Sequence, residues 1–160
     1  MSALTFYDIN IKGERFKALS WLSQDRVFEK GLPARAIVGV IPFREAGLDP
    51  ATFRPNPEFV AFLHEVIEKY APLDPDLQAE ARRQGQGWLY VIDGRTPTPR
   101  DNVPPEDIIG AFEVQGRKII ADSYQLNQNH RLVTKFGLFQ LDSFLQDKLL
   151  AEIENLTLQK

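Results

Sequence analysis

Leu32-Pro33-Ala34-Arg35-Ala36-Ile37-Val38-Gly39 and Val103-Pro104-Pro105-Glu106-Asp107-Ile108-Ile109-Gly110 read as one pattern met twice, 71 positions apart (108 − 37). At that offset Thr52-Phe53 meets Ser123-Tyr124, and Asn56 meets Asn127. Flanking pieces keep the same order with small gaps. Trp21-Leu22 precedes the first copy and Trp88-Leu89 the second; Leu73-Asp74-Pro75 follows the first and Leu141-Asp142-Ser143 the second. A repeat constrains architecture more tightly than local propensity, because the second copy must reproduce the strands and turns of the first. Two copies are too few for a stacked array, which needs at least three. The expected architecture is one globular domain over residues 1–160, built from two pseudo-symmetric β-β-α half-units from an internal duplication. The half-units would be residues 1–84 and 88–160, joined at Gln84-Gly85-Gln86-Gly87.

A chain of 160 residues with 43% apolar content can bury a sizeable core. The net charge of −3 argues against wholesale phosphate binding, since there is no basic surplus to displace counterions. With no cysteine, disulfides, thiolate nucleophiles and zinc–thiolate sites are excluded. Met1 to Asp8 has neither a basic head nor an apolar signal core, and no apolar run approaches the roughly 18 residues of a spanning helix. The expectation is a soluble, cytoplasmic protein with no membrane association.

Leu4 to Ile11 is rich in strand formers and closes at Gly13. Residues 14–23 fit a short helix or a second strand, and strand is favoured if Trp21 matches Trp88. Ala36 to Phe43 is apolar on both faces, as in a central strand. Asn56-Pro57-Glu58 spells a helix start: an amide cap, proline at the first helical position and an acid at the positive end of the dipole. Phe59, Phe62, Leu63, Val66 and Ile67 then follow at helical spacing. Asp74-Pro75 repeats this grammar for a second helix. Trp88 to Ile92 is a strand ending at the turn Asp93-Gly94-Arg95. Pro97, Pro99, Pro104 and Pro105 stiffen a surface segment. Ile108–Val114 and Arg117–Ala121 flank Gln115-Gly116 as a hairpin. Residues 123–138 are polar and irregular, and Asp142-Ser143 starts a last helix with a broad apolar face. The fold class is α+β, with a mainly antiparallel sheet and helices packed on one face.

Candidate chemistry is sparse. His64-Glu65-Val66-Ile67-Glu68 is half of a zinc-protease pattern, but Glu68 stands where the second imidazole belongs, so a partly exposed helix histidine is expected. The acid pairs Asp74/Asp76, Glu106/Asp107 and Glu152/Glu154 read as helix first-turn or solvated residues. No catalytic residue, metal or cofactor is assigned. Tyr124, Asn127, Asn129, His130 and Arg131 form the most unusual polar cluster, able to bond a small polar or anionic ligand or a partner. Asp93 and Arg95, at the turn before the proline-rich segment, complete the candidate set. Asn127 equally suits a capping role, by analogy with Asn56. Arg95, Arg100, Arg117, Lys118, Arg131 and Lys135 make the second half locally basic, with Trp88, Tyr90 and Tyr124 interleaved, a weak pointer to single-stranded nucleic acid.

The leading expectation is non-catalytic protein–protein interaction, including self-association, through the proline-rich segment, residues 123–131 and the last helix. The alternatives are a small polar ligand or hydrolytic site between the half-units, and single-stranded nucleic acid.

Overall fold

A computed structural model describes residues 3–95 and 103–156. The fold is α+β with antiparallel sheets. The chain divides into one compact unit of Met1–Leu63 with Leu149–Lys160, and another of His64–Lys148. The Gln84–Gly87 joint therefore lies inside the second unit. Residues 96–102 of the proline-rich segment, with Pro97 and Pro99, lie outside the described residues.

The first unit carries a sheet in the order β1 (Thr5–Ile11), β2 (Glu14–Ser20), β3 (Gly39–Pro42), β4 (Arg54–Pro55), every neighbouring pair antiparallel. Lys12 and Gly13 close the β1–β2 hairpin with φ of 51° and 87°, as a two-residue turn matched to strand twist demands. Phe16, Ala18 and Leu19 on β2 join Trp21, Leu22, Val38, Ile41 and Phe53 among the buried side chains. Helix α1 (Gln24–Lys30) starts where the Ser23 hydroxyl accepts from the Arg26 N–H at 3.2 Å. Helix α2 (Pro57–Tyr70), whose residues from His64 onward belong to the second unit, buries Phe59, Phe62, Leu63, Val66 and Ile67 along one stripe.

In the second unit, β6 (Ile108–Gln115) is flanked by β5 (Gly87–Ile92) and by the short strands β7 (Lys118–Ile119) and β8 (Gln125–Leu126). Helix α3 (Pro75–Gln84) lays Leu77 and Ala81 against Leu89 of β5, Val114 of β6 and Ile119 of β7. A small hairpin, β9 (Val133–Thr134) with β10 (Gly137–Leu138), precedes helix α4 (Ser143–Glu154). Leu145, Leu149 and Ile153 of α4 are at most 2% exposed. Of the two outcomes expected for this broad apolar face, burial or a partner, these three side chains take burial.

The 71-residue offset has a physical counterpart. The Asn56 side-chain amide donates to the carbonyls of Ala34 and Ile37, both at 2.8 Å. The Asn127 amide donates to the carbonyls of Pro105 and Ile108, both at 2.7 Å. Each asparagine also gives its backbone N–H to the carbonyl after the braced turn, Val38 at 3.1 Å and Ile109 at 3.0 Å. Each accepts with Oδ1 from the N–H two residues on, Glu58 at 3.2 Å and Asn129 at 3.1 Å. Gly39 pairs with Pro55, and Gly110 with Leu126. The phenyl ring of Phe53 lies over Gly39, and the phenol of Tyr124 over Gly110.

The tryptophans do not correspond. Leu19 pairs with Gly39 and Val91 with Gly110, so β2 maps onto β5 at an offset of 72 (91 − 19). Trp88, opposite Glu113, takes the place of Phe16, opposite Pro42. The place of Trp21, two residues beyond Leu19, falls to Asp93.

Candidate functional site

Strand β5 ends by delivering Asp93 into the interior, where its N–H bonds the Asp107 carbonyl at 2.7 Å. Asp93 Oδ1 accepts from the backbone N–H of Gln140 at 2.8 Å and of Arg95 at 3.1 Å. Its Oδ2 lies 2.9 Å from Arg95 Nη2 and 3.0 Å from His130 Nε2. The Asp107 carboxylate stands 3.5 Å from the same guanidinium nitrogen. The side chains of Asp93 and Arg95 are 0% exposed, and those of Asp107 and His130 only 2% and 3%.

Arg95 spends its remaining donors on the chain around β9 and β10. Nη1 donates to the carbonyls of Gly137 at 2.9 Å and Leu132 at 3.3 Å, and to Thr134 Oγ1 at 3.4 Å. Nη2 also donates to the Arg131 carbonyl at 2.6 Å. Arg95 Nε has no partner among the described residues. Burial alone would raise the pKa of Asp93, but the bonds from His130, Gln140 and Arg95 and the Arg95 charge outweigh it and leave it lowered. A charge-assisted network of this kind holds an irregular segment that has few ladder bonds of its own.

Of the expected residues, Asp93, Arg95 and His130 meet in this cluster. Arg131 enters through its carbonyl, and its side chain is exposed. Asn127 braces the turn before β6, and Asn129 is exposed beside it. Tyr124 stands with a residue read differently from sequence. His64 is buried, at 8% exposed, not partly exposed as expected. Its Nδ1 lies 2.6 Å from the Tyr124 hydroxyl. Burial, reinforced by the nearby His130, pushes His64 down from 6.5 to about 4. Burial, then the Glu68 charge, pushes Tyr124 up. The phenol therefore keeps its proton and donates it to a neutral imidazole.

That pair carries a pH dependence with a definite sign. The unfolded chain protonates His64 below about 6.5, while the folded chain resists until about 4. The stabilising contribution is complete above 6.5 and is lost as pH falls toward 4. It amounts to at most about 3 kcal/mol. Urea unfolding at several pH values should show a shallower acid loss in His64→Gln than in the native chain. Parallel curves would contradict the assignment.

Asp107 and Gln140 were not singled out in sequence. Asp107 looked like one of two ordinary first-turn acids. Its one signal lies in the repeat, where it faces Ala36, which is 0% exposed, across the 71-residue offset.

No helix among the described residues is long and apolar enough to cross a membrane. Comparison with protein-family models, with curated proteins and with solved structures yields no match.

Proposed function

We propose that this protein is a non-catalytic binding module whose partner is another polypeptide, taken up along strand β5. The observation that carries this reading is the state of that strand. β5 pairs with β6 on one side and with no strand on the other among the described residues. Trp88 and Tyr90, on the face opposite the buried Leu89 and Val91, are 46% and 52% exposed. An open edge beside exposed aromatics is the arrangement that strand addition uses: main-chain bonds supply affinity and alternate side chains supply selectivity. Gln84 Nε2 already meets the Trp88 carbonyl at 2.9 Å, so the open stretch begins beyond it, at Tyr90.

The polar cluster supports a ligand reading less well, because its donors and acceptors are largely engaged within the chain. Nucleic acid has less support too. Arg95 is buried, and Glu113 stands opposite Trp88, so the aromatics do not lie on a cationic track. Panning a random-peptide display library against the whole chain tests the proposal. Selected peptides should lose at least about tenfold in affinity against Tyr90→Lys, which puts a charge on the open edge. Peptides that bind this variant as tightly as the native chain would sink it.

A further inference from the structure

Two helices of the second unit start on aspartates. Asp74 caps α3, its Oδ1 accepting from the Asp76 N–H at 3.0 Å. Asp142 caps α4, its Oδ1 accepting from the Leu145 N–H at 2.8 Å. Each cap commits one carboxylate oxygen to the backbone and leaves the other over. One carboxylate oxygen from each of Asp74, Asp76 and Asp142 lies within 4.8 Å of the other two.

A cluster of acids on helix first turns is ordinary; the state of Asp74 is not. Its side chain is buried, at 1% exposed. Its Oδ2 is shut off from solvent and has no hydrogen-bond partner among the described residues. Oδ1 is turned to the backbone, and Asp74 shares one group of carboxylates with Asp76 and Asp142. A buried oxygen with lone pairs and no donor calls for something that accepts electron density.

We infer that Asp74, Asp76 and Asp142 together hold one divalent cation of the hard, oxygen-seeking class, calcium ahead of magnesium. The donor set contains carboxylate oxygen and neither imidazole nor thiolate, which points away from zinc and copper. Calcium accepts six to eight oxygens in irregular geometry at about 2.3–2.6 Å, with water filling the places the protein does not. Asp76 and Asp142 are exposed and leave that side open to water, while Asp74 closes the inner side. Magnesium demands a near-ideal octahedron, which three side chains on two helix caps are less suited to impose. The ion would tie the first turn of α3 to the first turn of α4 and cancel the repulsion among three acids. This site is separate from the β5 edge and does not depend on the binding proposed there.

Thermal unfolding of the whole chain in EDTA, in calcium chloride and in magnesium chloride reads the site directly. Calcium should raise Tm by roughly 5 °C or more at a hundredfold excess over its Kd, and magnesium by less. Asp142→Asn keeps an N-cap acceptor for Leu145 and so should fold, yet it should lose most of the calcium shift. Asp76→Asn, at an exposed position, should weaken it. A native Tm indifferent to both cations overturns the inference and leaves a proton shared between Asp74 and Asp142 as what joins them. A calcium shift that survives in both variants overturns it as well.

Discussion

Replacing Arg95 with methionine is expected to remove about 3–5 kcal/mol of stability. The guanidinium is 0% exposed and faces Asp93 and Asp107, both nearly sealed from water. Methionine fills a similar volume but leaves those carboxylates buried with less positive charge beside them. The carbonyls of Arg131, Leu132 and Gly137 lose their donor in the same step. Urea unfolding gives the magnitude, and amide exchange gives the place: protection should fall first over residues 131–140. Adding Asp93→Asn to the methionine variant should recover part of the loss, because the uncompensated charge costs more than the missing bonds. A loss below about 1 kcal/mol would mean that the cluster is solvated and does not hold the segment.

The second large effect separates two glycines that look equivalent. A methyl at Gly39 would sit 2.5 Å from the Arg54 carbonyl oxygen as well as against the Phe53 ring. Backbone on the paired strand β4 cannot swing aside, so Gly39→Ala should cost about 3 kcal/mol. The three atoms nearest a methyl at Gly110 all belong to the Tyr124 phenol, from 2.6 Å. A side chain can move, so Gly110→Ala should cost roughly half as much and spend part of it at the His64 hydrogen bond. Denaturant midpoints compare the two variants. The histidine resonances of Gly110→Ala should show His64 titrating closer to its ordinary value. Equal losses in the two variants, or a larger one at Gly110, would refute this account.

Much of the fold was legible because strands and helices announce themselves by period and by cap. Asn56-Pro57-Glu58 and Asp74-Pro75 open α2 and α3 where the sequence placed them, since a side-chain acceptor followed by proline suits little else. Gly13 was legible as the close of β1, but the second hairpin was expected to turn at Gln115-Gly116 and turns one residue later, at Gly116-Arg117, because Arg117 takes a positive φ that side chains seldom adopt. Helix α1 was missed, having seven residues and none buried, so it has no apolar stripe to read. The paired dipeptides β8, β9 and β10 were missed because two residues cannot show a period. What orders β9 and β10 is a guanidinium some 40 residues upstream, and local pattern cannot reveal that.

The candidate site was half legible. Asp93, Arg95 and His130 were singled out for their chemistry, and they do meet. Their bonds are turned inward, and that depends on burial, which residue type alone does not disclose. The pairing of Trp21 with Trp88 hid the better clue. Set in the register the strands adopt, Asp93 stands where Trp21 would be and Asp107 where Ala36 would be. Two acids at positions that are greasy in the sister segment mark a buried polar cluster.

That exchange gives the two segments opposite sensitivities. Around Trp21 and Ala36 cohesion comes from excluding water, a force that thins on cooling. Around Asp93 it comes from an ionised carboxylate held by Arg95, a force that acid abolishes by handing that carboxylate a proton. Chill and acidity thus strain different segments of one polypeptide, though an asparagine braces the turn beside each in the same way.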